Sequence, residues 1–190
     1  SGAGIDAFLA AQEVGPEGRV IGVDMTPQML ERARKNAASA GHANVEFREG
    51  RLEELPVDDA TVDAVTSNCV INLVPDKPAV FGEVARVLKP GGRMVVSDIV
   101  LEGTLPDAVR QDVASWVGCI SGALQREEYV AMVEGAGFEK VEILKDVDYG
   151  ASMEAVAPDQ VAGILERTGA KRDDLVGTVR SVTLRAYKPA

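Results

Sequence analysis

The stretch Val62-Asp63-Ala64-Val65-Thr66-Ser67-Asn68-Cys69 decides the fold that this sequence predicts. Its first part, residues 62–66, has the apolar character of a buried strand. Three residues able to contact a ligand follow directly, namely Ser67, Asn68 and Cys69. Ligands of open parallel sheets bind beyond the carboxyl ends of the strands, where the strand order reverses. We therefore expect this strand to border a ligand site.

Length and composition favour one soluble globular domain over residues 1–190. The hydrophobic share of 46% and the charged share of 26% are ordinary for such a domain. No apolar run approaches the length of a membrane-spanning helix, so we predict no membrane partner. The net charge is −10 and the basic residues are scattered, which disfavours binding to the phosphates of nucleic acid.

Cysteine and histidine are scarce, since Cys69, Cys119 and His42 are the chain's whole set. A structural zinc site needs four ligands, so these three residues cannot build one, and we predict no metal site. Two cysteines are also too few for a disulfide scaffold. This scarcity favours a reducing compartment, and we predict the cytoplasm.

The first residues predict a nucleotide-type binding turn. Ser1-Gly2-Ala3-Gly4 precedes an apolar helical run, and glycines spaced in this way let the backbone approach a ligand closely. Val20-Ile21-Gly22-Val23-Asp24 then forms an apolar strand that ends in an acid. Asp24 lies about 20 residues after the glycines, where related folds place a ribose-binding carboxylate. A solvated strand-end aspartate explains Asp24 equally well on its own, but the glycines favour ribose.

The middle of the chain alternates helix and strand patterns. Thr26-Pro27 and Gly41 bracket one predicted helix, and Pro75-Asp76 begins another. Residues 44–48 alternate polar and apolar like an edge strand, and residues 94–98 form an apolar strand. This order predicts βαβ crossovers and a parallel sheet.

The second half adds further predicted elements. A helix from Pro106 places apolar residues as far as Leu124 on one face. Cys119 lies on the flank of that face, about 110° from its centre. We also predict helices from Gln125 to the glycines near residue 135 and over residues 158–168, and strands over residues 141–144 and 181–187.

Four motifs resemble those of class I S-adenosylmethionine-dependent methyltransferases. They are Ser1-Gly2-Ala3-Gly4, Gly22-Val23-Asp24-Met25, Leu55-Pro56 and Val87-Leu88-Lys89-Pro90-Gly91-Gly92. The resemblance implies a Rossmann-like α/β fold with a mostly parallel central sheet and helices on both faces.

Within that superfamily, the chain is most similar to the arsenite methyltransferases. The specific matches are Gly22-Val23-Asp24-Met25-Thr26-Pro27, Ser67-Asn68-Cys69-Val70-Ile71-Asn72-Leu73-Val74-Pro75-Asp76-Lys77, Ser97-Asp98-Ile99-Val100, Gly118-Cys119-Ile120-Ser121-Gly122-Ala123-Leu124 and the closing stretch from Ser181 to Pro189. The resemblance implies transfer of a methyl group from S-adenosylmethionine to trivalent arsenic, arsenite or its thiol conjugate, in arsenic detoxification.

The resemblance also implies roles for individual residues. On the cofactor side, these are Gly2 and Gly4 beside the methionine part, Asp24 on the ribose, Met25 on adenine, Leu52 and Glu53 at the adenine edge, and Asn68 near the methionine end. Cys69 and Cys119 match two cysteines that bind arsenic in the family.

The implied chemistry suits these residue types. As(III) is soft and prefers thiolate ligands, and its lone pair can attack a sulfonium methyl group without a general base. Catalysis then consists mainly of positioning. A free cysteine is more often a small buried hydrophobe, and only the sequences flanking Cys69 and Cys119 overturn that interpretation here.

The chain departs from the family in two ways. The family has a strand before the position of Ser1, and further cysteines upstream that complete the arsenic site. We expect the missing strand between those at Val20 and Val62, so the domain is predicted to be incomplete at its N-terminus. Residues 146–178 match only loosely and are predicted to form a C-terminal insertion.

Two other functions stay open at this point. One is a class I methyltransferase for another small organic or lipid-like substrate, and the other is an inactive As(III)-binding fragment. The enzyme hypothesis also requires a thiol reductant as a partner, because arsenic-binding thiolates have to stay reduced.

Overall fold

The computed structural model describes residues 1–112, 120, 122–156 and 158–190, and contacts divide the chain into two units. The N-terminal unit is Ser1–Asp58 and the C-terminal unit is Asp59–Ala190. One domain over residues 1–190, with an insertion at 146–178, stays a prediction.

The N-terminal unit has the predicted order of helices and parallel strands. Its elements are α1 (Ile5–Val14), β1 (Val20–Asp24), α2 (Pro27–Ala40) and β2 (Val45–Glu49). The two strands pair in parallel from Val20 opposite Val45 to Asp24 opposite Glu49. A core of Ala7, Leu30, Ala33, Ala37 and Phe47 holds the helices on the strands. Burial of this apolar surface stabilises a pair of strands that would be marginal alone.

Local sequence explains where α2 begins and ends. Pro27 lies in the first turn of α2, where backbone N–H groups have no acceptor within the helix, so proline breaks no hydrogen bond there. Gly41 ends the helix at a φ of 74°, and its N–H donates to the carbonyls of Ala37 and Ala38. A left-handed residue at this position is best supplied by glycine.

The C-terminal unit contains most of the chain. Its elements are β3 (Val62–Asn68), a 3-10 turn (Ile71–Leu73), α3 (Lys77–Val87), β4 (Leu88–Leu101), α4 (Asp107–Gln111), α5 (Arg126–Gly135), β5 (Glu139–Asp148), α6 (Tyr149–Val156), α7 (Pro158–Thr168), a 3-10 turn (Arg172–Asp174) and β6 (Val179–Tyr187). The strands form one sheet in the order β3-β4-β6-β5. β3 and β4 are parallel, whereas β6 is antiparallel to both neighbours, so this sheet is mixed.

We predicted that the fold-deciding strand, β3, is buried, and this prediction is wrong. None of its seven residues is buried, and Asp63, Ala64 and Thr66 are exposed. The physical reason is its place at the edge of the sheet, where only β4 pairs with it in the described part of the chain. β3 and β1 belong to separate sheets, and a further strand between them stays a prediction.

The helix predicted from Pro106 to Leu124 is also partly wrong. Its described part, α4, ends at Gln111, because Asp112 takes an extended conformation with ψ 121°. Residues 113–119 and 121 lie outside the described residues, and with them the predicted flank position of Cys119. Ile120 is not helical, yet it is fully buried in the core as predicted.

Two hydrophobic regions build the C-terminal unit. The larger cluster consists of Ile99, Leu101, Leu105, Val109, Ile120, Ala123, Val161, Ile164, Leu175 and Val179. In the other region, α3 buries Val80, Phe81, Val84 and Val87, and the ring of Phe81 meets Tyr129 of α5 edge-on at 5.5 Å. Across the described residues, every helix is too short or too polar to span a bilayer.

Candidate functional site

The N-terminal unit brings Gly2 and Asp24 together at the carboxyl end of β1. Oδ2 of Asp24 accepts hydrogen bonds from the N–H of Gly2 at 2.7 Å and from the backbone nitrogen of Ser1 at 3.1 Å. Oδ1 accepts from the N–H of Thr26 at 2.9 Å. The carboxylate is thus held in a fixed orientation at the end of the strand.

The donors around Asp24 keep its carboxyl ionised. Burial raises the pKa of Asp24, but backbone hydrogen bonds from Thr26 and Gly2 act in the opposite direction, and the pKa lies below its ordinary value of 3.8. A carboxylate offers about four acceptor positions, and three donors occupy it here. Asp24 therefore keeps capacity to accept from a ligand hydroxyl.

The two N-terminal glycines have different roles. Both have positive φ values, 53° at Gly2 and 99° at Gly4. A Cβ at Gly4 would lie 2.5 Å from Cζ of Phe8, so packing requires glycine there. A Cβ at Gly2 would meet nothing within 4 Å, so there is open space beside Gly2, whose N–H donates to Asp24.

The predicted adenine-side residues follow β1 and β2. Met25 is 60% exposed, and Leu52 and Glu53 are half-buried. The N–H of Gly50 donates to the carbonyl of Asp24 at 3.1 Å, which ties the start of the Leu52 loop to β1. An ionised acceptor, open space at a glycine and an exposed apolar side chain together fit a nucleoside-bearing ligand such as S-adenosylmethionine.

The C-terminal unit presents Asn68 and Cys69 at the carboxyl end of β3. Asn68 is the last residue of the strand, lies opposite Ser97 of β4, and is exposed. Cys69 is exposed too, and its N–H donates to the carbonyl of Ser97 at 2.8 Å. Its φ of 53° is unusual for a residue with a side chain. Cys119 lies outside the described residues, so its predicted place beside Cys69 stays a prediction.

A buried polar cluster, which our sequence reasoning missed, includes two residues that follow Cys69 closely in the sequence, Asn72 and Lys77. It consists of Asn72, Lys77, Asp98 and Tyr129, each no more than 6% exposed. The hydroxyl of Tyr129 donates to Oδ2 of Asp98 at 3.2 Å, and the backbone N–H of Asn72 also donates to that carboxyl. We call these four residues the Asp98 cluster.

Burial dominates the electrostatics of the Asp98 cluster. It raises the pKa of Asp98 to about 6, although Tyr129, two backbone N–H groups and the charge of Lys77 act in the opposite direction. Burial also raises the pKa of Tyr129 well above its ordinary value, and the neighbouring Asp98 adds to that shift. The carboxyl group of Asp98 therefore has a pKa of about 6, well above that of an ordinary aspartate.

Asp98 carried a signal that sequence reasoning could have used. It is the one acidic residue of β4 and directly precedes the apolar run Ile99-Val100-Leu101. A charged side chain in the interior of a strand is almost never buried without partners. The partners are 26 to 31 residues away in the sequence, at Asn72 and Tyr129, and only the fold brings them together.

Comparison with known proteins places these features in a family. Residues 1–137 match the methyltransferase domain family. The chain is 48% identical to the arsenite methyltransferase of Halobacterium salinarum over all of this chain and 45% of that protein. It is 39% identical to the human arsenite methyltransferase over 73% of this chain and 39% of that protein. The chain thus spans less than half the length of these curated relatives.

A solved structure confirms the predicted fold. The arsenic(III) S-adenosylmethionine methyltransferase of Chlamydomonas reinhardtii matches with a TM-score of 0.78 and 33% identity, covering 99% of this chain and 61% of that chain. The Rossmann-like α/β class predicted from the motifs is therefore correct, with a mixed sheet in the C-terminal unit. The chain belongs to the methyltransferase domain family.

Proposed function

We propose that this chain is the methyl-transferring part of an enzyme that methylates trivalent arsenic with S-adenosylmethionine. The observation that carries the proposal is the exposed Cys69 at the end of β3, in a chain 48% identical to an arsenite methyltransferase. A thiol at the carboxyl end of a strand lies where α/β proteins of this kind bind their ligands.

The cofactor side of the proposal rests on the N-terminal unit. Asp24 accepts from the ribose hydroxyls, for which it is held ionised by Thr26 and Gly2. Met25 offers its exposed side chain to adenine. The remaining proposed contacts are Gly2 and Gly4 with the methionine part, Leu52 and Glu53 with the adenine edge, and Asn68 with the methionine end. The chemistry that bound S-adenosylmethionine supplies is a methyl group activated by a sulfonium sulfur.

The arsenic side rests on thiolates. Cys69, together with Cys119, binds As(III), because soft thiolates are the protein ligands that such a soft centre prefers. The arsenic lone pair is the nucleophile, so the protein needs no general base and acts by orienting the substrate. The single histidine, His42, instead stacks on Phe8 with ring centroids 4.8 Å apart.

The proposal includes a reductant and a compartment. Thiolates that bind arsenic are lost if they oxidise to a disulfide, so a thiol reductant has to maintain them. Such conditions are those of the cytoplasm, and we place the protein there. The substrate is arsenite or its thiol conjugate, and neither nucleic acid nor a membrane is a partner.

Loss of the Cys69 thiol tests the proposal. We expect Cys69→Ser in the intact protein to reduce arsenite methylation at least about a hundredfold, because a hydroxyl is a poor ligand for a soft centre. Methylated arsenic is measured by mass spectrometry after incubation with arsenite, S-adenosylmethionine and a thiol reductant. Cys119→Ser is expected to behave in the same way.

Leu144→Ser is the matched control, because Leu144 is a similarly exposed residue on a different strand, β5. We expect this variant to methylate arsenite at the parent rate. A Cys69→Ser protein that also keeps the parent rate would contradict the arsenic assignment. The chain would then be assigned to a methyltransferase of another small organic or lipid-like substrate.

A further inference from the structure

The backbone of Cys69 needs support from its surroundings. Its φ of 53° lies in the left-handed region, which residues with a side chain rarely adopt. Such a conformation persists only where neighbouring structure holds it in place, and it is often found at functional sites. The turn that carries the thiol is therefore fixed by other parts of the C-terminal unit.

One support comes from β4. The N–H of Cys69 donates to the carbonyl of Ser97 at 2.8 Å, which continues the pairing of Asn68 with Ser97 by one residue. This hydrogen bond fixes the point where the chain leaves β3. It does not fix the direction of the residues that follow.

The 3-10 turn Ile71–Leu73 supplies that direction through Asn72. The side chain of Asn72 is fully buried, and its Nδ2 donates to the carbonyl of Ile99 at 2.6 Å. The backbone N–H of Asn72 donates to the carboxyl of Asp98. Asn72 is thus bound to β4 by both its backbone and its side chain, three residues after Cys69.

Lys77 holds the other end of the same turn. Its Nζ donates to the carbonyl of Asn72 at 3.3 Å and to the carbonyl of Val74 at 3.1 Å. A buried ammonium group is costly unless it is bound, and these carbonyls belong to the turn itself. The ammonium charge also favours the ionised form of Asp98.

Tyr129 connects the cluster to α5. Its hydroxyl donates to Oδ2 of Asp98, while its ring packs edge-on against Phe81 of α3. Asp98 is therefore the group that accepts both from the turn after Cys69 and from a rigid helix. Hydrogen bonds are directional, so this arrangement fixes the orientation of the turn more closely than apolar packing alone does.

We infer that the Asp98 cluster positions the Cys69 thiol for arsenic, with Asp98 as the positioning residue and Tyr129 as its anchor in α5. This inference rests on the proposed function for the choice of ligand. Asp98 acts through Asn72 and the turn that Asn72 belongs to.

The test compares Asp98→Ala with Asp98→Asn in the intact protein. An asparagine oxygen still accepts from the N–H of Asn72, whereas alanine leaves that N–H buried without its partner. We expect Asp98→Ala to raise the KM for arsenite about tenfold with little change in S-adenosylmethionine affinity. Asp98→Asn is expected to restore most of the loss, and Tyr129→Phe to show a smaller effect of the same kind.

A second readout measures the Cys69 turn without arsenic. The rate at which iodoacetamide alkylates Cys69, followed on its peptide by mass spectrometry, reports how the thiol is presented. We expect Asp98→Ala to change this rate by about tenfold or more and Asp98→Asn to change it little.

Val109→Ala is the control for general destabilisation, because Val109 is fully buried in the larger hydrophobic cluster. It should lower Tm while leaving the alkylation rate of Cys69 unchanged. The inference is overturned if Asp98→Ala alkylates at the parent rate, or if Val109→Ala alters the rate equally. Because alkylation needs no arsenic, it separates failure of this inference from failure of arsenite as the substrate.

Discussion

Two aspartates at or near the ends of strands, Asp24 in the N-terminal unit and Asp98 in the C-terminal unit, have opposite acidities. The side chain of Asp24 is 15% exposed and has a lowered pKa, whereas Asp98 is 1% exposed and its pKa is raised to about 6. Both accept hydrogen bonds from backbone N–H groups. Burial is the largest single influence on the pKa of each carboxyl and raises it. Only at Asp24 do the hydrogen bonds together outweigh burial and lower the pKa.

The difference shows what each carboxyl is suited for. Backbone N–H groups of Gly2 and Thr26 donate to Asp24 at a partly exposed strand end and favour its ionised form. Such a group can accept from a ligand hydroxyl. Asp98 is buried and accepts hydrogen bonds from Asn72 in the 3-10 turn and from Tyr129 in α5. It is therefore suited to orienting these elements rather than to binding a ligand.

The largest expected effect is the pH dependence that Asp98 gives to stability. Its pKa is about 6 in the folded chain against an ordinary value of 3.8, so the folded state holds this proton to a higher pH. The free energy of unfolding therefore falls as pH rises from about 4 to about 6, by roughly 3 kcal/mol from this group. Lys77 and Tyr129 are the charged and titratable groups that act on it, and both are included in that pKa.

Urea unfolding of the parent and of Asp98→Asn at pH 4, 5, 6 and 7 measures this effect. Asparagine does not titrate, so the variant should lack the decline. We expect the stability of the variant relative to the parent to rise across this range. Parallel curves for the two proteins would show that Asp98 is ionised as readily as an exposed aspartate, and the contrast with Asp24 would then disappear.

The next effect is on cofactor affinity. Asp24→Ala should weaken S-adenosylmethionine binding by about 1–3 kcal/mol, because it removes an ionised acceptor for the ribose hydroxyls. Isothermal titration calorimetry measures the change, and Asp98→Asn is the comparison with the other aspartate. Equal affinity for Asp24→Ala and the parent would remove Asp24 from the cofactor site.

The smallest expected effect is the change that Asp24 causes in the free energy of unfolding as the pH is lowered. Its pKa is lowered in the folded chain, so its stabilising contribution is present above pH 3.8 and is lost as pH falls through the lower folded value. We expect Asp24→Asn to lose stability relative to the parent at neutral pH and to approach it in acid. Unfolding followed by circular dichroism from pH 6 down to pH 2 checks this direction, and a gap that widens in acid would contradict it.

Much of the fold followed from local sequence signals. Helix α7 spans Pro158–Thr168 as predicted, and Gly41 ends α2 as expected for a glycine able to take positive φ. These signals depend on neighbouring residues only. The position of Asp24 at the end of β1 was also predictable, because a strand-end acid after a glycine turn is a local pattern, while its role toward the cofactor stays a prediction.

Features that depend on distant contacts were not predictable. The exposure of β3 follows from its edge position, which strand pairing decides and residues 62–66 alone do not. Helix α6 contains Gly150, a poor helix residue, yet a Cβ there would lie 2.0 Å from the carbonyl oxygen of Leu175. Glycine is thus required by packing between elements that are far apart in the sequence.

The Asp98 cluster was missed for the same reason. Asn72, Lys77 and Tyr129 lie in three different elements or their ends, and nothing in the local sequence indicates that they meet. Only the structure shows that they meet one buried carboxyl. The arsenic pair stays a prediction, since Cys69 is described and Cys119 is not.

Arsenite binding by Cys69→Ser, measured alongside S-adenosylmethionine binding on the same protein, tests the proposed function most directly. Calorimetric titration of the intact parent and of Cys69→Ser gives both dissociation constants under reducing conditions. We predict that the variant loses at least about tenfold in arsenite affinity, the effect of one lost thiolate ligand, and keeps S-adenosylmethionine affinity within about twofold. Parent-like arsenite affinity in Cys69→Ser would contradict the assignment of Cys69 as an arsenic ligand.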